Sequence, residues 1–143
     1  MSSMHRQVEQ RLDDHDIRYT RGRRAVVDAL EAADGPRSAA ELAPDVPDVP
    51  LSSLYRTLAV LEEAEVVVPH LSTKGIARYE LAEWLAGHHH HLVCIECGRV
   101  EDVDVPDRYE NQVHDLVGAI SSQASFTAVN HALEIEGTCA GCA

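Results

Sequence analysis

The sequence predicts an α+β fold made of two unlike halves, and three observations carry that prediction. Apolar residues recur at three- and four-residue spacing up to about residue 64, and at the spacing of short strands beyond it. A short joint, Glu83–Gly87, lies between the two halves. Two Cys-x-x-Cys pairs, Cys94/Cys97 and Cys139/Cys142, then bracket most of the second half.

Residues 5–16 are polar, with Val8 and Leu12 at helical spacing. Thr20 is placed to cap a helix over Arg21–Ala33, where Ala25, Val26, Ala29 and Leu30 make one apolar face. Asp34-Gly35-Pro36 ends it. Ser38, with Glu41 three residues on, is a capping-box signature for a short helix Ala39–Ala43. Pro44–Pro50 carries three Pro and two Asp and reads as a loop. Ser52 or Ser53 opens a helix to about Ala64, striped by Leu54, Leu58 and Leu61. Val66–Val68 and Ala77–Leu81 read as strands around the polar turn Ser72–Gly75. Three helices followed by a two-stranded hairpin is the order of a winged helix-turn-helix, although many small α+β domains begin the same way.

In the second half His89–Cys94, Val100–Val105 and Phe126–Glu136 read as strands, and Asp107–Ser122 as a helix started by Pro106. The division expected is residues 1–82, a hinge at 83–87, and residues 88–143.

With 143 residues, 45% hydrophobic and 25% charged, there is room for one medium or two small domains of ordinary globular type. No apolar run approaches the ~18–20 residues needed to span a bilayer, and no apolar stretch follows the polar start. The expectation is a cytoplasmic protein with no membrane partner. The net charge of −12 argues against a non-specific coat on nucleic acid, but it is unevenly spread. Residues 1–78 net −3 and hold Arg18, Arg21, Arg23 and Arg24 close together, so a local anion-binding surface is available there. Residues 79–143 net −9 and contain six of the nine His and all four Cys, which suits cations.

Two residues between thiolates let both face one ion, and two such pairs complete a tetrahedral four-cysteine zinc site from Cys94, Cys97, Cys139 and Cys142. Disulfides or a redox motif are the alternatives. The first is disfavoured without a secretion signal, and the second leaves the duplication unexplained. The 41 residues between the pairs exceed the ~15–20 of a zinc ribbon, so this ion ties the end of a domain to its beginning. The run His88-His89-His90-His91 leads into an apolar strand. In extended chain His88 and His90 face one way and His89 and His91 the other, so the run can feed two metal sites.

The segments His88–Gly98, Gly137–Cys142 and Leu51–Leu58 together resemble the ferric uptake regulator family of bacterial metal-responsive repressors, over about residues 8–142. That resemblance implies a homodimer that binds a double-stranded DNA operator and acts on no small-molecule substrate. Each subunit would pair a winged helix-turn-helix domain with a small α/β dimerisation domain built around the structural four-cysteine zinc. It places Ser53, Tyr55 and Arg56 at the DNA-facing start of a recognition helix over Leu51–Ala64. Such a helix enters the major groove, while Arg21, Arg23 and Arg24 suit phosphates. For a second divalent metal it implies hinge ligands Glu80, His89 and His91, with Asp102 matching a carboxylate of the peroxide-sensing branch. A further site would use His88, His90 and His131, with Glu110 or, second to it, Glu101. The chain departs from the family in one respect: Gly35-Pro36-Arg37 stands where iron and peroxide sensors commonly supply a His, and no hinge Cys replaces it. Zinc is the metal expected, with iron(II) and manganese(II) beside it. A zinc-dependent hydrolase would need a catalytic spacing that is missing, and a zinc-storage protein or chaperone would leave the Arg-bearing helix without a purpose.

Overall fold

The computed structural model describes residues 2–71 and 75–143, so the expected turn at Ser72–Gly75 falls, for residues 72–74, outside the described residues. Helix α1 (Ser3–Asp14) is capped by the Ser2 hydroxyl and buries Val8 and Leu12. Helix α2 (Arg21–Ala32) starts at Thr20, whose hydroxyl accepts from the Arg23 amide, and buries Val26, Val27 and Leu30. The capping box of Ser38 and Glu41 is complete in α3 (Ala39–Leu42), and one turn of 3-10 helix, Ala43–Asp45, follows. Helix α4 (Leu51–Glu63) begins earlier than the serines suggest. Pro50 occupies the cap without a side-chain bond, its fixed φ leading the chain into the helix.

Leu54, Leu58 and Leu61 of α4 are fully buried, each stabilising the core by roughly 1.5–3 kcal/mol. They pack with the buried residues of α1, α2 and α3 and with Val66, Val67 and Leu81 in one cluster. Antiparallel β1 (Val67–Leu71) and β2 (Ala77–Leu81) close it, with Val67 opposite Leu81 and Val68 opposite Glu80. The joint is a single helical turn, α5 (Glu83–Ala86), ended by Gly87 at φ 87°. It rests on the first half: Leu85 packs on the core, and Trp84 Nε1 donates to the Glu65 carbonyl at 2.8 Å under the Arg11 guanidinium.

The second half is a three-stranded sheet in the order β4-β3-β5. Strand β3 (His90–Cys94) pairs antiparallel with β4 (Val100–Val103) and parallel with β5 (Glu134–Gly137), the crossover running through α6 (Asp107–Gln123). The long strand expected over Phe126–Glu136 is corrected to β5. The register starts at His91 opposite Glu134, and β3 itself begins only one residue earlier, at His90. Likewise the strand expected from Val100 stops at Val103, and Pro106 sits at the cap of α6.

Candidate metal centres

Among the described residues, three groups of ligating side chains gather their donor atoms within 4.8 Å. The first is Cys94, Cys97, Cys139 and Cys142, brought together by the turn after β3 and the segment after β5. All four thiols are free, and Cys97 Sγ and Cys139 Sγ stand 3.9 Å apart. Four sulfurs at ~2.3 Å from a tetrahedral ion lie about 3.8 Å from each other, so the spacing suits zinc. The amides of Cys97 and Cys139 draw the Cys94 thiol down to about 6, the thiolate state a ligand needs. Cys142, against Cys139 and Cys94, is pushed up to about 12: without a cation the group resists filling with negative charge.

The second group is His88, His90, Glu110 and His131. Glu110, in the first turn of α6, lies 2.7 Å from His90 Nε2, 3.1 Å from His131 Nε2 and 3.2 Å from His88 Nε2. The hydrogen bond from His90 holds the Glu110 carboxyl below the usual range. Glu83 supports the site from outside, 2.9 Å from His88 Nδ1. Glu101 takes no part: it pairs with Arg99 at 2.7 Å. Three imidazoles and one carboxylate make a four-donor set that zinc accepts.

The third group spans the joint: Glu80 from β2, His91 from β3 and Asp102 from β4. Strand pairing puts Asp102 directly opposite His91. His91 Nε2 is 2.8 Å from Glu80 Oε1 and 3.2 Å from Asp102 Oδ1. Asp102 and Glu80 together raise this imidazole to about 10. Burial pushes the Asp102 carboxyl up, but His91, Glu80 and the charge of His89 together outweigh it and leave Asp102 below its ordinary value. The ring has one Nε2 proton to share, and Asp102 Oδ1 is left buried without a hydrogen bond. Two carboxylate oxygens converging on one imidazole nitrogen fit a divalent ion in place of that proton.

His89 does not join this group. Strand β3 begins at His90, so the alternation that governs 90 and 91 does not reach back to 89, and its Nε2 bonds instead to the Ala86 carbonyl at 2.9 Å. Its Nδ1 is buried without a hydrogen bond, 3.7 Å from Asp104 Oδ1. One residue near this centre goes unsignalled by the sequence: His70 of β1, whose ring centroid is 4.7 Å from that of His91 and whose Nε2 is 2.8 Å from Glu134. A lone His in a strand has no spacing that betrays it; only the docking of β1 beside β5 does.

On the first half, Tyr55 and Arg56 are exposed on the first turns of α4, with Arg56 Nη2 donating to Ser53 Oγ at 3.3 Å. Arg21 is exposed at the start of α2, Arg23 donates to the Arg18 carbonyl, and the Arg24 guanidinium lies 4.4 Å over the Tyr19 ring. Tyr19 is itself fixed, its hydroxyl 2.6 Å from His5 Nδ1, while His5 Nε2 reaches Asp28 at 2.6 Å.

The family model of the Ferric uptake regulator family matches residues 14–136. The chain belongs to the ferric uptake regulator family. Members of this family are metal-responsive transcriptional regulators, not enzymes. A ferric uptake regulation protein of Legionella pneumophila is 33% identical over 138 residues, 93% of this chain and 96% of that one. The one from Bacillus subtilis is 36% identical over 97 residues, 67% of this chain and 62% of its own length. Among solved structures, the Vibrio cholerae ferric uptake regulator superposes with a TM-score of 0.70 at 27% identity, covering 92% of this chain and 98% of the other. Among the described residues no helix is long and apolar enough to cross a membrane.

Proposed function

We propose that this ferric uptake regulator family member is a metal-dependent repressor that binds operator DNA as a homodimer and senses a divalent transition metal at its joint. One observation carries the reading: Glu80 belongs to the wing, His91 and Asp102 to the second half, and their donor atoms converge. A divalent ion held there supplies a cross-link between the halves. Glu80 brings β2, and with it α4, into a fixed relation to β3; Tyr55 and Arg56 are then presented at a fixed angle to the partner subunit's copies. Two such helices must sit about one DNA turn, or a multiple, apart to read two half-sites, ~34 Å.

Dimerisation is supported by what α6 leaves uncovered. Its 17 residues bury none, and Tyr109, Leu116, Ile120, Phe126 and Val129 stand exposed. A second copy is the occupant that a family of dimeric regulators supplies for that face.

Zinc is assigned to the four-cysteine group and to the three-imidazole group by donor chemistry. At the joint, two carboxylates and one imidazole suit iron(II) or manganese(II). With His89 released from Ala86 to supply a second imidazole, the set becomes one that zinc accepts. Titrating zinc, iron(II) and manganese(II) separately against operator binding distinguishes them, the expected result being binding switched on by one of the three. A chelator-treated protein that binds operator as tightly as the metal-loaded one overturns the reading.

A further inference from the structure

The turn between α2 and α3, residues 34–37, connects the two strands that carry the hinge carboxylates. On one side Arg37 and Tyr79 exchange both backbone hydrogen bonds, at 2.9 and 2.8 Å, which fixes β2 one residue before Glu80. On the other side the Asp102 amide donates to the Asp34 carbonyl at 3.0 Å, and Arg37 Nη1 reaches the Val100 carbonyl at 3.4 Å. Asp102 is therefore held to the first half by its backbone while its carboxylate lies beside His91.

Gly35 is what lets the two main chains approach. A Cβ there would stand 2.7 Å from the Val100 carbonyl oxygen, 2.9 Å from Glu101 Cα and 3.0 Å from the Asp102 nitrogen. All three obstacles are backbone atoms, so no side-chain rotation relieves them. Gly35 is not among the glycines with positive φ, so the requirement is for space and not for a special dihedral.

We propose that Gly35 is a positioning residue for the hinge centre: the bracket 34–37 joins β2 to β4 through main-chain bonds and so sets where the Glu80 and Asp102 oxygens stand. The proposal rests on the hinge group holding a metal, as read above. Because the bracket consists of protein hydrogen bonds, it brings the two carboxylates near each other before an ion arrives, and the ion then locks the relation of the halves.

The test is a double-mutant cycle on the full-length dimer with its four-cysteine zinc in place, the His-rich group silenced by His131→Ala in every arm. Hinge affinity is read by competition with a chromophoric chelator and by the visible spectrum of cobalt(II), for the parent, Gly35→Ala, Asp102→Asn and the pair. Gly35→Ala is expected to weaken binding about 10- to 100-fold, the usual effect of removing a residue that orients a ligand, and to change the cobalt spectrum. In the Asp102→Asn background it should add a clearly smaller loss, that of Glu80 alone. Unchanged affinity and spectrum with only a lower melting temperature would overturn the proposal, as would an equal loss in both backgrounds. Hydrogen exchange decides the bracket without any hinge metal: the Asp102 amide should be protected in chelator-treated parent protein and exposed in Gly35→Ala. Free exchange in the parent overturns it. Should the parent take up no hinge ion at all, the sensing reading falls, and the Asp102 amide still reports whether the bracket exists.

Discussion

The two halves of the chain are stable for different reasons. The first closes its own core: Val8, Leu12, Val26, Val27, Leu54, Leu58, Leu61 and Val66 are all at or near zero exposure. The second has only Val93, Cys94 and Val100 as buried apolar residues, and α6 contributes none. Its sheet is short, and what crosses between its elements are ligand groups, Glu110 to His90 and the two Cys pairs. A half of this kind cannot supply enough apolar burial by itself to offset the conformational entropy of ordering it. On the proposed function, metal coordination and a second copy are its substitutes, so the stability of the second half should respond to metal and that of the first should not.

The largest expected effect breaks that contrast open. Structural zinc contributes on the order of 10–16 kcal/mol in small zinc domains, so Cys97→Ser should unfold the second half and leave a monomer. The first half should still melt cooperatively by circular dichroism. A variant that remains dimeric with one melting transition would mean that the second half has a sufficient core after all. Leu58→Ala, by contrast, should cost the first half about 2–5 kcal/mol in chemical denaturation while the zinc content stays at the parent value.

Arg56→Ala should weaken operator binding by roughly 1–3 kcal/mol in mobility-shift titrations without changing metal content or dimerisation. The smallest effect is the pH dependence at the joint. His91 is held near 10, above the imidazole's ordinary 6.5. In the metal-free protein its ion pair therefore stabilises the fold fully below pH ~6.5, and that contribution is lost as pH rises through about 10. Metal must displace the same proton, so hinge affinity should rise about tenfold per pH unit from 6.5 to 8.5. A flat profile by competition titration would show that His91 is neutral before the ion binds.

What the sequence displayed was whatever depends on neighbours along the chain. Thr20, Ser38 with Glu41, the leucine stripe of α4 and the two Cys pairs all act over a few residues, and all are found where spacing places them. The resemblance in turn named Glu80, His89 and His91 with Asp102, and all but His89 meet. What stayed hidden depends on which backbone lies against which. His89 leaves the hinge group because β3 starts one residue later, and His70 enters its neighbourhood because β1 docks near β5. The stretch 126–133 was apolar enough for a strand, but a strand needs a partner, and β3 begins too late in the chain to lie beside it. Gly35 read as a helix terminator in a stretch lacking the family's usual His, and its close approach to β4 stayed hidden because it involves residues more than sixty positions away.

Trp84 is the chain's one tryptophan, and it sits at the joint with its indole nitrogen bonded to Glu65 and its ring beneath Arg11. The chain therefore carries a single indole fluorophore, excitable apart from its four tyrosines, at the place where its halves meet. Its emission reports on one environment, with no second indole to dilute the signal. A change in the seating of α1 against the joint would appear as a shift in wavelength or quenching, in unlabelled protein and in real time.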